Sequence, residues 1–289
     1  MIVLTGAGGF IGSVVLGYLN SQQITDILIV DDLPYENQYK NLIGKQYKRL
    51  LSIDDVDLTN ENITGVIHIG ANSNTLEKNW SSIYASNIQS TRKWNTFCKE
   101  RSIPFIFTSS AAVYGNGQGP MNQYAFSKLL SENEIDGVIL RLFNVYGPNE
   151  YHKGRMASSI LHWVDQLSKT GEIKIFENSK NYFRDFIWVE DVAKTIYHFM
   201  YKNYQPGIYD LGTGNRVDFE TIADTIIDHT GAGTKKFIDM PTDLKNQYQI
   251  NTLADTKSLI SSGVTVENFI QINTGVEKYI NYLSNIRYI

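Results

Sequence analysis

Cysteine is almost absent: Cys98 is the only one in 289 residues. That excludes an internal disulfide, and its place in "TRKWNTFCKER", at helical spacing from apolar neighbours, marks it as a small core hydrophobe rather than a nucleophile. Neither sign of charge forms a long block, and 26 basic against 30 acidic residues leave a net charge of −4. No basic stripe is available for nucleic acid or for an acidic membrane surface, so neither is expected as a partner. No apolar run approaches the ~20 residues that a bilayer span needs, and the opening "MIVLTG" has neither the basic start nor the apolar segment of a signal peptide. A soluble, cytoplasmic protein is expected. His68, His152, His162, His198 and His229 stand singly, without paired spacing or cysteine neighbours, so no metal site is expected.

What is present is alternation. Short β-branched runs, "MIVLTG", "DILIVD", "GVIHIGA", "IPFIFTSS" and "GVILRLFN", are separated by helical patterns and are apolar on both faces. Such strands predict an α/β fold, a Rossmann-type doubly wound parallel sheet covered by helices on both sides. Beyond about residue 150 the rhythm changes to a helix, "MASSILHWVDQLSK", and strand-like pieces "IKIFE", "RDFIWV" and "GIYDLGTG". We expect residues 1–150 to form a dinucleotide-binding domain, with 185–212 returning to it, and 151–289 to form mainly a smaller mixed α/β substrate lobe. No repeat or Gly/Ser/Pro linker separates them, which predicts a cleft between packed lobes.

The first strand runs into "TGAGGFIG", with Gly6, Gly9 and Gly12 at its turns. A strand that turns directly into a helix leaves the helix's first N–H groups pointing outward, a ready site for phosphate. Gly6 permits the tight turn, Gly9 the approach of a pyrophosphate and Gly12 the close packing of helix on strand. Asp31, at the end of "DILIVDD", is placed to take ribose hydroxyls, and strand, glycines, helix and acid together meet the context that the motif requires. Further on, Tyr124 and Lys128 in "NQYAFSKLL" share one helix face. The Lys128 ammonium beside a positively charged nicotinamide would favour phenolate and make Tyr124 a general base. Ser110 ends the strand "FIFTSS" at the carboxyl edge, where it can hold a reacting hydroxyl.

These motifs resemble those of the extended short-chain dehydrogenase/reductase superfamily, which combines T-G-x-x-G-x-x-G, a Ser or Thr before Tyr-Gly, and Y-x-x-x-K. Within it the chain is most similar to the ADP-glyceromanno-heptose 6-epimerases, through "RLFNVYGPNEYHKGRMASSILH", "FENSKNYFRDFIWVEDVA", "GIYDLGTG" and "LKNQYQINTLAD". The resemblance implies a nucleotide-diphospho-sugar epimerase working by transient oxidation to a ketone, used in surface polysaccharide biosynthesis. It implies Tyr124 and Lys153 as the two acid/bases, supported by Ser110 and Lys128. Read without it, Lys153 is a loop lysine touching a sugar hydroxyl or a phosphate. The dinucleotide would lie on Gly6, Gly9, Phe10, Ile11, Gly12, Asp31, Asp32, Ala71, Asn72, Ser73, Asn87, Tyr124 and Lys128. The sugar nucleotide would lie on Ser110, Asn144, Val145, Arg155, His162, Phe176, Glu177, Asn178, Ser179, Arg184 and Tyr248. Arg184 has a physical argument of its own, since a guanidinium suits a diphosphate; the other reading is an ion pair with Asp185 or Asp191. His162 reads equally as a ligand contact or as a satisfied helix residue.

The chain departs from the family at several places. "HIGANSN" has Ile69 and Asn72 where the family has an acid and a cysteine, and the stretches from Tyr114 to Tyr124 and from Lys128 to Arg141 are short. Ala111 and Ala112 stand where the family's dehydratases carry Asp-Glu, which argues against dehydration. The cofactor is NAD or NADP, with NAD favoured: Gln38 replaces the family's phosphate-binding lysine, Asp31 and Asp32 repel a 2′-phosphate, and only Lys40 and Lys45 lie near. The alternatives are a 4-epimerase or reductase of another nucleotide sugar and, from another class, a dinucleotide-binding sensor without turnover. A homo-oligomer is expected by analogy with the superfamily.

Overall fold

Seven parallel strands take the apolar runs in turn: β1 (Ile2–Thr5), β2 (Ile27–Val30), β3 (Arg49–Leu51), β4 (Gly65–His68), β5 (Phe105–Ser110) and β6 (Val138–Leu142), with a late arrival from the second half. In the computed structural model, which describes residues 1–59, 61–245 and 248–286, β1, β2 and β4 consist entirely of buried residues, and β5 and β6 have all but one residue buried. The remaining strands are β7 (Asn144–Tyr146), β8 (Glu172–Phe176), β9 (Phe183–Trp188), β10 (Gly207–Leu211), β11 (Arg216–Asp218) and β12 (Thr234–Ile238). The large sheet runs β10-β6-β5-β4-β1-β2-β3, so the order reverses at β1, which pairs Ile2 with Ile27 on one side and with Gly65 on the other. Ligands in doubly wound sheets bind outside the carboxyl ends of strands at that reversal.

Period-two alternation divides the core. Leu4, Ile29, Ile67 and Leu140 face one layer with Val15, Leu16, Ile196 and Phe199, while Val3, Leu28, Val66 and Ile139 face the other with Trp94 and Cys98. Each such side chain contributes about 1.5–3 kcal/mol on full burial. Cys98 is buried and its thiol is pushed up to about 12 by that burial, so it is a core hydrophobe without thiolate chemistry.

β10 and the helix Val189–Tyr201 return to the first layer, the helix packing against the first helix, Phe10–Ser21. The other strands form a three-stranded sheet, β11-β9-β7, and a parallel pair, β12-β8. Around them Tyr146, Trp163, Trp188, Ile222, Val276 and Tyr279 make a separate core. Asn246 and Gln247, inside the motif "LKNQYQINTLAD", lie outside the described residues.

Candidate active site

The glycines do what close packing demands. Gly6 has φ +69°, and a Cβ there would stand 2.7 Å from the backbone of Gly70, the loop after β4. A Cβ on Gly12 would stand 2.0 Å from the Gly6 carbonyl oxygen, so the helix lies directly on the turn. Gly9, the N-cap of Phe10–Ser21, supplies no side-chain cap, and the first turn holds no acid. The first N–H groups are therefore left for a ligand, with the helix dipole adding attraction for an anion. The Asp31 carboxylate accepts from the Gly8 and Leu33 N–H groups, each at 2.9 Å, while burial holds its pKa above the ordinary carboxylate value. Asp31 is thereby fixed against the glycine loop. Asp32 is engaged elsewhere: one of its oxygens accepts from Ser52 Oγ (2.7 Å) and Ile53 N–H (2.9 Å), which anchors the chain leaving β3.

Behind the loop runs a buried relay that the sequence did not disclose. The Gly70 N–H donates to Thr5 Oγ1 (3.0 Å), which donates to His68 Nδ1 (2.7 Å); His68 Nε2 meets Thr91 Oγ1 (3.0 Å), which donates to the Asn87 carbonyl (2.5 Å). Because Thr91 gives its proton to a carbonyl, it accepts from His68, so the ring is the neutral Nε2–H tautomer. Burial foremost, and the nearby Lys128 charge, lower His68 to about 3. Asn87 stands on a single π-helical stretch, Tyr84–Gln89, a device common where a helix must re-aim a side chain. Its amide is saturated: Nδ2 donates to the Asn72 carbonyl and to Ser127 Oγ (3.0 Å each), while Oδ1 accepts from Asn72 N–H (2.8 Å) and Ser86 Oγ (3.0 Å). Asn87, at 1% exposure, thus braces the Asn72 loop against the helix Gln123–Glu132 instead of presenting its amide to solvent. Ala71 and Asn72 are partly exposed on that loop and Ser73 is exposed.

Asn122 caps the helix Gln123–Glu132, its Oδ1 accepting from Ala125 N–H (2.8 Å), and so presents Tyr124 and Lys128 beside the end of β5. Burial pushes the Tyr124 phenol above its ordinary value, and a hydrogen bond with Ser110 acts in the opposite direction. Sequence spacing predicts Lys128 as the group that lowers the phenol; the structure gives that place to Ser110. Lys128, only 3% exposed, donates to the Thr108 carbonyl (2.8 Å) and lies 4.6 Å from the centre of the Phe107 ring. Burial lowers it to about 7 against the upward pull of Glu132. One turn further on, Glu132 is hydrogen-bonded to Ser109 and clasped by the Arg141 guanidinium (2.6 Å). A partly buried bidentate pair thus ties the helix Gln123–Glu132 to β5 and β6.

Lys153 sits on the tight turn Tyr151–Met156, whose Gly154 has φ +52°. Its ammonium lies 5.4 Å from the centre of the Phe10 ring, at the start of the glycine-loop helix. Burial lowers its pKa, with Glu150 pulling the other way. Asn41 pins this turn to the glycine loop, donating to the carbonyls of Gly8 (3.0 Å) and Asn149 (3.2 Å) and facing His152 Nδ1 (3.3 Å). Ile11 is half-buried beside Phe10.

Arg184, on β9, is 6% exposed, yet among the described residues its guanidinium makes one hydrogen bond, to the Phe183 carbonyl (2.9 Å). Its guanidinium stands about 5 Å from the ring centres of Tyr248 and Phe219. Neither acid that the sequence offers pairs with it: Asp185 accepts from Thr213, Gly214 and Ala254, and Asp191 from Lys194 and Ile270. Burial lowers the Arg184 pKa, as desolvation of a cation must. Phe176 and Tyr248 meet edge to face at 6.0 Å, and Glu177 and Asn178 are exposed beside them. Ser179 is buried, and its hydroxyl has no protein partner. Asn144 accepts from Thr252 Oγ1 (3.3 Å), Val145 packs under the first layer, Arg155 is exposed, and His162 is half-buried on the helix Ser159–Thr170.

A cavity of about 310 Å³ lined by Ala111, Tyr114, Phe143, Asp210, Gln249 and Thr252 adjoins Ser110 and Asn144. A wider depression of about 480 Å³, at Thr25, Lys45 and Lys48, lies at the amino end of the sheet and holds none of the acid/base groups. Among the described residues no cluster could hold a metal ion, and no helix is long and apolar enough to cross a membrane.

With this geometry in hand, comparison with known proteins is informative. Residues 2–212 match the NAD dependent epimerase/dehydratase family. The chain is 36% identical, over 98% of its length and 98% of the other's, to the ADP-L-glycero-D-manno-heptose-6-epimerase of Brachyspira hyodysenteriae. The solved ADP-L-glycero-D-manno-heptose-6-epimerase of Helicobacter pylori superposes with a TM-score of 0.82 at 25% identity, covering 100% of this chain and 96% of that one. The UDP-N-acetylglucosamine 4-epimerase of Methanobrevibacter ruminantium shares the fold, with a TM-score of 0.86 at 22% identity and coverage of 99% and 98%. The glycine-loop strand, the Ser110–Tyr124–Lys128 group and the returning β10 all fall within the matched span, and the chain belongs to the NAD dependent epimerase/dehydratase family.

Proposed function

We propose that this chain is an NAD-dependent epimerase of a nucleoside-diphospho-sugar, acting at C6 of an ADP-glyceromanno-heptose, with Tyr124 and Lys153 as its two acid/bases. The observation that carries this reading is the placement of Lys153. A second acid/base candidate comes from the other half of the chain, is half-buried over Phe10 at the head of the glycine-loop helix, and has its pKa lowered by desolvation. The near full-length similarity to the Brachyspira enzyme supports the choice of substrate.

The residues fit NAD. The uncapped helix start takes a pyrophosphate, Asp31 offers a fixed carboxylate to ribose hydroxyls, Lys45 lies along Gly17 at the middle of the first helix, and Gln38, where the family has a phosphate-binding lysine, is buried beside Gly8. When bound, NAD takes a hydride from the carbinol carbon and returns it, which inverts a centre whose C–H is not acidic. Ser110 holds the reacting oxygen, and Tyr124 takes the hydroxyl proton as the hydride leaves. After the ketone turns its other face, Lys153 delivers the proton to the oxygen as the hydride comes back, and exchange with solvent resets the pair. Arg184, a buried cation between aromatic faces, holds the diphosphate while the sugar turns.

On this reading residues 1–150 with 185–212 bind the dinucleotide and the remainder of 151–289 binds the sugar nucleotide. The protein works in the cytoplasm as a homo-oligomer; Phe126, 45% exposed and packed on Trp80, supports an associating helix face. The test is proton NMR of ADP-D-glycero-manno-heptose with the purified protein. The L-glycero epimer forms without added reductant, and Tyr124→Phe and Lys153→Ala abolish it. An unchanged spectrum with cofactor-loaded protein rejects this substrate, and net consumption of reduced cofactor would make the protein a reductase.

A further inference from the structure

Glu150 is completely buried three residues before Lys153, and its side chain is saturated with donors. One oxygen accepts from the Ser158 N–H (2.6 Å), the other from Ser158 Oγ (2.6 Å) and from the Tyr279 hydroxyl (3.0 Å), while the Glu150 backbone carbonyl accepts from the Lys153 N–H (3.0 Å). Residues 150–158 are thereby closed into a loop, with Lys153 at its middle and the C-terminal helix Ile272–Ile286 latched to it through Tyr279. We propose that Glu150 is the positioning residue of Lys153, its carboxylate clasping the turn that carries the ammonium to Ser158 and to the C-terminal helix. The inference rests on Lys153 being an acid/base.

The groups around Lys153 are few. His152 and Glu150 lie on its own turn, the Phe10 ring faces it from the first helix, and Tyr279 reaches it only through Glu150. Removing the Glu150 charge therefore leaves the ammonium opposed by burial alone, so the amine becomes neutral at lower pH. Glu150→Gln keeps the shape and the contacts: its carbonyl oxygen can accept from Ser158 N–H, and its NH₂ can donate to the two hydroxyls, which rotate to accept.

The experiment is the pH profile of epimerisation for wild type, Glu150→Gln, Glu150→Asp and Lys153→Met. In Glu150→Gln the alkaline limb, on which Lys153 loses the proton that it delivers, moves to lower pH by about half a unit or more, and in Glu150→Asp it stays while kcat falls about tenfold through the altered reach. A limb unmoved in Glu150→Gln, with Lys153→Met inactive, overturns the inference and leaves Glu150 a structural clasp. Epimerisation by Lys153→Met would instead overturn the reading of Lys153, and this inference with it. Should Glu150→Gln fail to fold, Tyr279→Phe decides: loosening the latch with the charge in place lowers kcat severalfold, and an unchanged kcat overturns the proposal.

Discussion

Replacing Gly275 with alanine separates helix propensity from packing in the second lobe. On propensity alone the change gains about 1 kcal/mol inside the helix Ile272–Ile286. Packing reverses the sign: a Cβ at this position would lie 1.8 Å from the Tyr146 hydroxyl oxygen and 2.8 Å from its Cζ. Tyr146 is fully buried between Trp188 and Phe186, so the ring has nowhere to retreat. Overpacking of this kind costs about 1–3 kcal/mol, and a net loss of up to about 2 kcal/mol is expected by urea unfolding. Among the described residues the Tyr146 hydroxyl has no hydrogen-bond partner, so Tyr146→Phe is expected to be neutral or to stabilise by about 1 kcal/mol. The double variant should regain most of the Gly275→Ala loss, with a coupling of about 1 kcal/mol or more. A Gly275→Ala protein more stable than wild type, or strictly additive single effects, would refute the contact.

Three other outcomes are expected. His68, lowered to about 3 in the fold from an ordinary 6.5, binds its proton in the unfolded chain first, so between those values its contribution makes stability fall with acidification by up to about 1.4 kcal/mol per pH unit and is flat above 6.5; urea titrations from pH 4 to 7 should show a shallower slope in His68→Leu than in wild type. Arg184→Met removes the guanidinium from its aromatic slot and should raise KM for the nucleotide sugar about 10–100-fold while NAD affinity, read by fluorescence quenching, stays within about twofold. Gly12→Ala forces a Cβ to within 2.0 Å of the Gly6 carbonyl, backbone against backbone, and should abolish NAD binding by calorimetry even where far-ultraviolet dichroism is retained.

Local pattern carried most of the main sheet because β1, β2, β4, β5 and β6 are buried on both faces and announce themselves as apolar runs, whereas β3, an exposed edge strand, carries no such run. The glycine loop was legible for a similar reason: Gly6 and Gly12 are demanded by atoms within a few residues or across one loop, and Asp31 follows at a fixed interval along the chain. Arg184 was legible as a cation in a strand-like segment, but not as one that pairs with neither Asp185 nor Asp191. Its two acidic neighbours, Asp185 and Asp191, are drawn off by backbone N–H groups and a threonine from residues 213–214, 254 and 270, together with Lys194. No reading of "FRDF" contains those distant donors.

The same limit explains why the groups that hold the site rigid escaped a reading of motifs that found the groups that react. Tyr124 and Lys128 are one helical turn apart, so spacing exposes them. Asn87 connects Asn72, Ser127 and, through Thr91 and His68, Thr5; Asn41 connects Gly8, Asn149 and His152; Glu150 connects Ser158 and Tyr279. Each joins segments separated by tens of residues, and an isolated asparagine or glutamate in sequence has no periodicity to betray it. "GPNEYHKG" carried the one available signal, an acid three residues before the lysine, spaced to face it across a single tight turn. On the proposed mechanism rigidity matters because a ketone would turn over between two fixed bases, and a misplacement of about 1 Å can cost about a hundredfold in rate. These saturated side chains are therefore where substitutions should lower kcat while leaving the binding of either ligand nearly intact.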